Sequence, residues 1–237
     1  MTFPPESPPI PPPPSREVLS RDVWRWAAMA LIGAVAGGAF VLHLGHGAVA
    51  LSWGEVWGIL LGSGQGSSQD IIVWQFRLPR AVTALAAGAS LGVAGLLMQT
   101  LFANPLAGPY VLGVDAGASL GVALAVMGLE VMGPSWGALA TAGSFTAAWV
   151  GAALVLLAIL SVARQVRSGT VLLLVGILFG FATNAVVSIL VALAPSEKVH
   201  GFITWSMGSF AAAPWPRVRL LLLGSLGGLL VAWGLAK

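Results

Sequence analysis

Two arginines three residues apart, Arg77 and Arg80, flank a proline in the run Arg77-Leu78-Pro79-Arg80. Each guanidinium is a permanent cation with five donors in a planar fork, suited to receiving carboxylates. Downstream, Asn104 opens a segment in which Pro105, Gly108 and Pro109 force the backbone out of a helix. Gly169 and Thr170 form a small polar pair between two long apolar runs. His43 and His46, three apart, could share a helix face toward a metal or haem. Two histidines in a chain without cysteine do not complete a ligand set, so no metal site is assigned. No G-x-S-x-G, H-E-x-x-H or phosphate-loop pattern occurs, and no acid is paired with a base inside an apolar run. The chain therefore reads as non-enzymatic and as needing no cofactor.

The elements that must position these residues are apolar throughout. The 237 residues are 57% hydrophobic and 8% charged, a charge content far below that of soluble domains. Lipid is the solvent such a composition requires. The net charge of +3 therefore speaks about topology and does not suggest nucleic acid.

The first 15 residues hold eight prolines, which favour an extended conformation and cannot build a core. Residues 1–23 are accordingly expected to form a disordered cytoplasmic tail, and residues 24–237 a transmembrane domain. Six apolar segments follow: Trp26 to Leu44, then near 81–101, 111–129, 136–163, 170–194 and 218–236. Continuous Leu, Ala, Val and Gly runs without two-residue alternation predict helices over a β-barrel, so the fold class is all-α, a polytopic transmembrane bundle. Arg16, Arg21 and Arg25 before the first span, and Arg164 and Arg167 between the fourth and fifth, place the N-terminus in the cytoplasm. The run Ala48-Val49-Ala50 has the look of a signal-peptidase site, but the apolar stretch before it is too long for a cleaved signal, so it reads as a retained span.

Two basic pairs then fall on the outer side, against the positive-inside tendency: Arg77 with Arg80, and Arg217 with Arg219. Either pair can snorkel to outer headgroups, the reading preferred for Arg217 and Arg219. Irregular backbone at membrane depth is tolerated only when it is buried in protein or lines a watery cavity. Asn104 is thus either a pathway residue or a cap for its own turn. Gly88, Gly92 and Gly95 are expected to let helices pack closely, and Asp115 to N-cap the third span. Most of the ten tryptophans fall near span ends and read as an interfacial belt.

The segment from Trp74 to Leu120, WQFRLPRAVTALAAGASLGVAGLLMQTLFANPLAGPYVLGVDAGASL, resembles the iron-chelate and vitamin B12 (FecCD/BtuC-like) permeases of ABC importers. Those proteins carry R-x-P-R before span two, a Gly/Ala-rich helix ending in M-Q, and an N-P-L-A-x-P-x-x-L-G loop entering span three. R-S-G-T-V-L-L-L-V-G at 167–176 and W-S-M-G-S-F at 205–210 extend the likeness. The resemblance implies a permease subunit that carries an iron-siderophore, haem or cobalamin-type chelate across the bacterial cytoplasmic membrane. Its implied partners are a second permease copy, two cytoplasmic ATPase subunits, and a periplasmic or lipid-anchored substrate-binding protein. It casts Arg77 and Arg80 as docking cations for that binding protein, and Asn104, Gly169 and Thr170 as the cytoplasmic gate. The fold it implies has ten spans, so this chain is expected to be either a fragment or a C-terminally truncated member, and the segment that seats on the ATPase is assigned to none of its residues. A secondary transporter, which would carry ionisable residues in its spans, and a truncated, non-transporting membrane protein are the alternatives.

Overall fold

The computed structural model describes residues 16–63, 66–128, 143–166, 168–211 and 213–235, and among these all regular structure is helical. The chain divides into two compact units, one ending at Ala81 and the other beginning at Val82. Five helical stretches are long and apolar enough to cross a membrane: Val23–Gly45, Ser68–Leu101, Gly143–Ala163, Gly169–Leu193 and Trp215–Gly234. The remaining expected span, the third, near 111–129, is a shorter apolar helix over Val114–Met127. At 1.5 Å per residue, its roughly 21 Å falls short of a hydrocarbon core of about 30 Å. Residues 129–142, where parts of the third and fourth expected spans fall, lie outside the described residues, as does the proline-rich run 1–15.

In the first unit, helix α1 (Arg16–Gly45) begins two residues beyond the last proline of the N-terminal run, so helix extends back into the stretch expected to be disordered tail. Helix α2 (Trp53–Leu60) is started by a capping box. The Ser52 hydroxyl accepts from the Glu55 N–H at 3.3 Å, while the Glu55 carboxylate accepts from the Ser52 N–H at 2.7 Å and its hydroxyl at 2.8 Å. These bonds, the one from the backbone first, hold the Glu55 carboxyl below the usual glutamate range. Leu44, Leu51, Val56, Ile59 and Val73 form the buried cluster of this unit.

The helix expected to start near residue 81 starts 13 residues earlier, at Ser68. Helix α3 (Ser68–Ile71) runs through a π-turn (Ile72–Arg77) into α4 (Leu78–Leu101). Pro79 therefore lies within a helix and not at its first turn. A proline there removes one bond and crowds the carbonyl four residues back. The π-turn, where the Leu78 N–H reaches the carbonyl of Val73, widens the backbone just ahead of the ring.

In the second unit, α5 (Val114–Ala123, continued by a π-turn to Gly128) packs against α6 (Gly143–Ala163) and α7 (Gly169–Leu193) through glycines. A methyl added at Gly121 would lie 2.1 Å from the Ala147 carbonyl oxygen, and one at Gly151 2.1 Å from that of Gly117. Gly176 faces the Val111 carbonyl, where a methyl would stand 2.8 Å away. Close backbone approach thus sits on α5, α6 and α7. The expected stripe on α4 differs: a methyl at Gly88 or Gly92 meets nothing within 4 Å. The cap of α5 is Gly113, at φ +67°, and Asp115 lies in the first turn without a capping bond. Only a residue without Cβ adopts that φ freely, so glycine displaces the expected aspartate cap. Helix α8 (Ser196–Ser206) tucks Phe202 into a cluster with Val122, Ala147 and Val187, and α9 (Trp215–Leu235) follows. Ser90 on α4 and Ser225 on α9 bring their hydroxyls to 2.6 Å.

Helix α4 ends in a Schellman turn: the Asn104 N–H reaches Gln99 O at 3.1 Å and the Ala103 N–H reaches Thr100 O at 3.3 Å. Ala103, at φ +46°, holds the left-handed position where glycine is the relaxed choice.

Three outcomes follow from these contacts. Gly121→Ala should destabilise the protein by about 2 kcal/mol or more, while Gly88→Ala stays within about 0.5 kcal/mol, measured by thermal denaturation in detergent. Ala103→Gly should stabilise by about 1 kcal/mol in the same assay, because the left-handed strain disappears. For Glu55, a folded pKa below the unfolded value means the stabilisation is present above the ordinary glutamate range and is lost as pH falls through the folded value. Protection of the α2 amides against exchange should therefore fall at acid pH, and Glu55→Gln should remove that pH dependence.

Candidate functional site

The first candidate site lies where α1 ends beside the π-turn. A helix leaves its last carbonyls without intrahelical donors, and they carry the negative end of the macrodipole. Arg77 fills that need. Its Nη1 donates to Leu44 O at 2.7 Å and to Gly45 O at 3.2 Å, and its Nη2 donates to Val49 O. The side chain is 6% exposed. Gly47 makes room for it: a methyl there would lie 3.0 Å from Nη2. Arg80, by contrast, is exposed and has no hydrogen bond or ion pair among the described residues. The expected outward pair is therefore split, one guanidinium turned into the protein and one into solvent. A polar recess of about 440 Å³, lined by Gly54, Glu55, Ser63, Ser67 and Gln69 among others, opens in the same unit. Gln69 Nε2 donates to the free oxygen of Glu55 across it at 3.3 Å.

The two histidines have separate surroundings. His43 is half-buried with its Nε2 unpartnered, whereas His46 has Nδ1 3.1 Å from Leu42 O and its ring edge-on to Trp53 at 6.1 Å. Among the described residues no group of three or more His, Cys, Asp or Glu could hold a metal. Arg217, in the second unit, sits with its guanidinium carbon 6.0 Å from the Phe145 ring centroid, at the outer limit of a cation–π contact.

The second candidate site, within the second unit, joins two loops. Asn104 closes a turn on itself, its Oδ1 accepting from the Leu106 N–H at 2.9 Å and its carbonyl from the Ala107 N–H at 3.1 Å. That is the capping role open to any asparagine in a turn. The turn nonetheless pushes Leu106 outward to 89% exposure. Phe102 bridges to the second loop: its Cδ1 is 3.9 Å from where a Gly169 methyl would stand, and it packs beside Leu172 against Leu112, Val155 and Ile159. The structure thus gathers the Asn104 turn and Gly169 around Phe102. Thr170 follows, exposed, at the start of α7. Sequence reasoning missed Phe102, Ala103 and Leu106. An aromatic before and an apolar residue after Asn-Pro was the available signal, whereas the left-handed backbone of Ala103 shows only in the fold.

The model of the FecCD transport family matches residues 26–237. A vitamin B12 import system permease protein from Serratia proteamaculans is 38% identical over 185 residues, which is 78% of this chain and 51% of that protein. The corresponding protein from an Escherichia coli O127:H6 strain is 36% identical over 174 residues, 73% of this chain and 51% of its own length. A solved inward-facing structure described as a metal-chelate type ABC transporter superposes with a TM-score of 0.66 at 27% identity, covering 84% of this chain and 59% of that one. The chain spans about half the length of the curated relatives it matches. With that match running through both candidate sites, this chain belongs to the FecCD transport family.

Proposed function

We propose that this chain serves as a membrane-spanning permease subunit of a binding-protein-dependent ABC importer for an iron-siderophore, haem or cobalamin-type chelate. The observation that carries the proposal is the family match across residues 26–237, reinforced by relatives that import vitamin B12. In this reading the protein sits in the bacterial cytoplasmic membrane with its N-terminus inside. It pairs with a second permease copy above two ATPase subunits, and it receives its cargo from a substrate-binding protein outside. Hydrolysis of ATP falls to the ATPase partners.

Physical features of the chain support this assignment. Helices α6 and α7 contain no Asp, Glu, Lys, Arg or His, whereas ion-coupled transport calls for ionisable groups within spans. A pathway lined by apolar and small residues makes few specific contacts with its cargo. Movement then depends on which face is open. The Asn104 turn with Leu106, and the Gly169–Thr170 start of α7, form the inner gate in this scheme: a compact polar turn carrying one projecting apolar side chain. Arg80 is the outer docking cation, exposed, without a hydrogen bond or ion pair among the described residues, and suited to a carboxylate on the binding protein.

The test uses the complete importer in lipid nanodiscs and the binding protein of the same system. Arg80→Glu should weaken docking about tenfold at low salt, and the difference should shrink as ionic strength rises, since exposed charges are screened. Cobalamin or ferric-chelate uptake into proteoliposomes should fall in parallel. Wild-type docking that is indifferent to both salt and Arg80→Glu would remove Arg80 from the interface, and failure of any chelate to be imported would remove the importer reading.

A further inference from the structure

A hydroxyl has one proton to give, and inside a helix that proton commonly goes to the carbonyl four residues back. Thr100, Thr183 and Ser188 bond in this way, at 2.8, 2.7 and 2.9 Å. Ser90 on α4 and Ser225 on α9 do so too, each with its Oγ 2.7 Å from a carbonyl, that of Ala86 and that of Leu221. These two serines differ in having a further partner. Both are half-buried, and their Oγ atoms stand 2.6 Å from each other. Two hydroxyl oxygens hold that separation with a proton between them, so three contacts share two protons. Either Ser90 donates across and Ser225 keeps the Leu221 carbonyl, or Ser225 donates across and Ser90 keeps that of Ala86. The carbonyl released in either arrangement still accepts from its own helix, so the exchange strands no group.

The surroundings make this bond consequential. A methyl at Gly88 or Gly92 of α4, or at Gly227 or Gly228 of α9, would meet nothing within 4 Å, so these glycines do not seal the two helices as Gly121 and Gly151 seal α5 to α6. Helix α9 has a separate hold on α6, where a methyl at Gly224 would stand 3.1 Å from the Trp149 ring. Helix α4 has a separate hold at its C-terminal end, through Phe102 packed against Leu112 and Ile159. Ser90 lies 12 residues from Phe102, about 18 Å along a helix. A tilt of about 10° around Ser90 would carry that end of α4 by about 3 Å, the size of a side-chain contact.

We propose that Ser90 and Ser225 are positioning residues: their shared hydrogen bond ties α4 to α9 and sets the tilt of the helix that carries the Asn104 turn. The tie stands on geometry, and its effect on transport rests on the function proposed above. Because donor and acceptor can exchange, the bond persists through small rotations of either helix. The tie therefore steadies α4 without freezing it.

Hydrogen–deuterium exchange on the complete importer in nanodiscs tests this. The reporters are the amides of Ala103, Asn104, Leu106 and Ala107, all bonded within the turn. Ser90→Ala and Ser225→Ala should each speed their exchange about threefold, the modest factor typical of one hydrogen bond between helices in a membrane. The double variant should also stay at about threefold and not reach the roughly ninefold of two independent losses, since both substitutions delete the same bond. Ser225→Thr, which keeps the hydroxyl, should restore wild-type exchange, and α5 amides should be unaffected throughout. In proteoliposomes the alanine variants should lower kcat for chelate uptake with KM unchanged, because no contact with cargo is altered. Unchanged exchange in the single variants, effects that multiply in the double variant, or threonine behaving as alanine would each overturn the tie. Faster exchange with unaltered uptake would uphold the tie and overturn its role in transport. An importer that moves no chelate, yet shows the expected exchange pattern, would overturn the function proposed above and leave the tie standing.

Discussion

Inside hydrocarbon there is no water to take up a loose backbone group, so every carbonyl and N–H must find its partner within the protein. The irregular features of this chain arise where a regular helix would fail that requirement. Pro79 would break the ladder of a continuous helix, and a π-turn precedes it. The carbonyls closing α1 would lack donors, and a buried arginine supplies them. The end of α4 closes its own carbonyls in a Schellman turn, although the left-handed position falls on Ala103, where glycine would be relaxed.

Once backbones are satisfied, helices in a membrane associate by packing, because lipid offers no hydrophobic drive between them. Here α5 is the shared surface, meeting α6 at Gly117, Gly121 and Gly151, and α7 at Gly113 and Gly176, with backbone atoms in direct contact. Leucines and valines, with Phe181, on the outward faces of α6 and α7 stay exposed, as lipid contact requires. Both candidate sites are found at helix ends, away from these glycine contacts.

Those two ends solve different problems with the same groups. At the end of α1, backbone carbonyls fix a cation and so immobilise a turn. At the Asn104 turn, a side-chain carbonyl fixes a backbone N–H and so projects Leu106. Neither arrangement activates a nucleophile or stores a proton.

Composition and apolar run lengths determined the all-helical membrane class, and Arg77-Leu78-Pro79-Arg80 with the Asn104 loop determined the family, because both are properties of local residue order. Tertiary structure decided which of several equivalent residues would act. Gly88 and Gly121 sit in equally small-residue surroundings along the chain, but only Gly121 faces another backbone. Arg77 and Arg80 are equally basic, but only Arg77 reaches the end of α1, a partner more than 30 positions away. The start of the helical stretch Ser68–Leu101, too, was hidden, since a proline that usually opens a helix lies within one, just after a π-turn. In each case the deciding contact joins residues distant in sequence or alters helical register, and neither can be read from spacing.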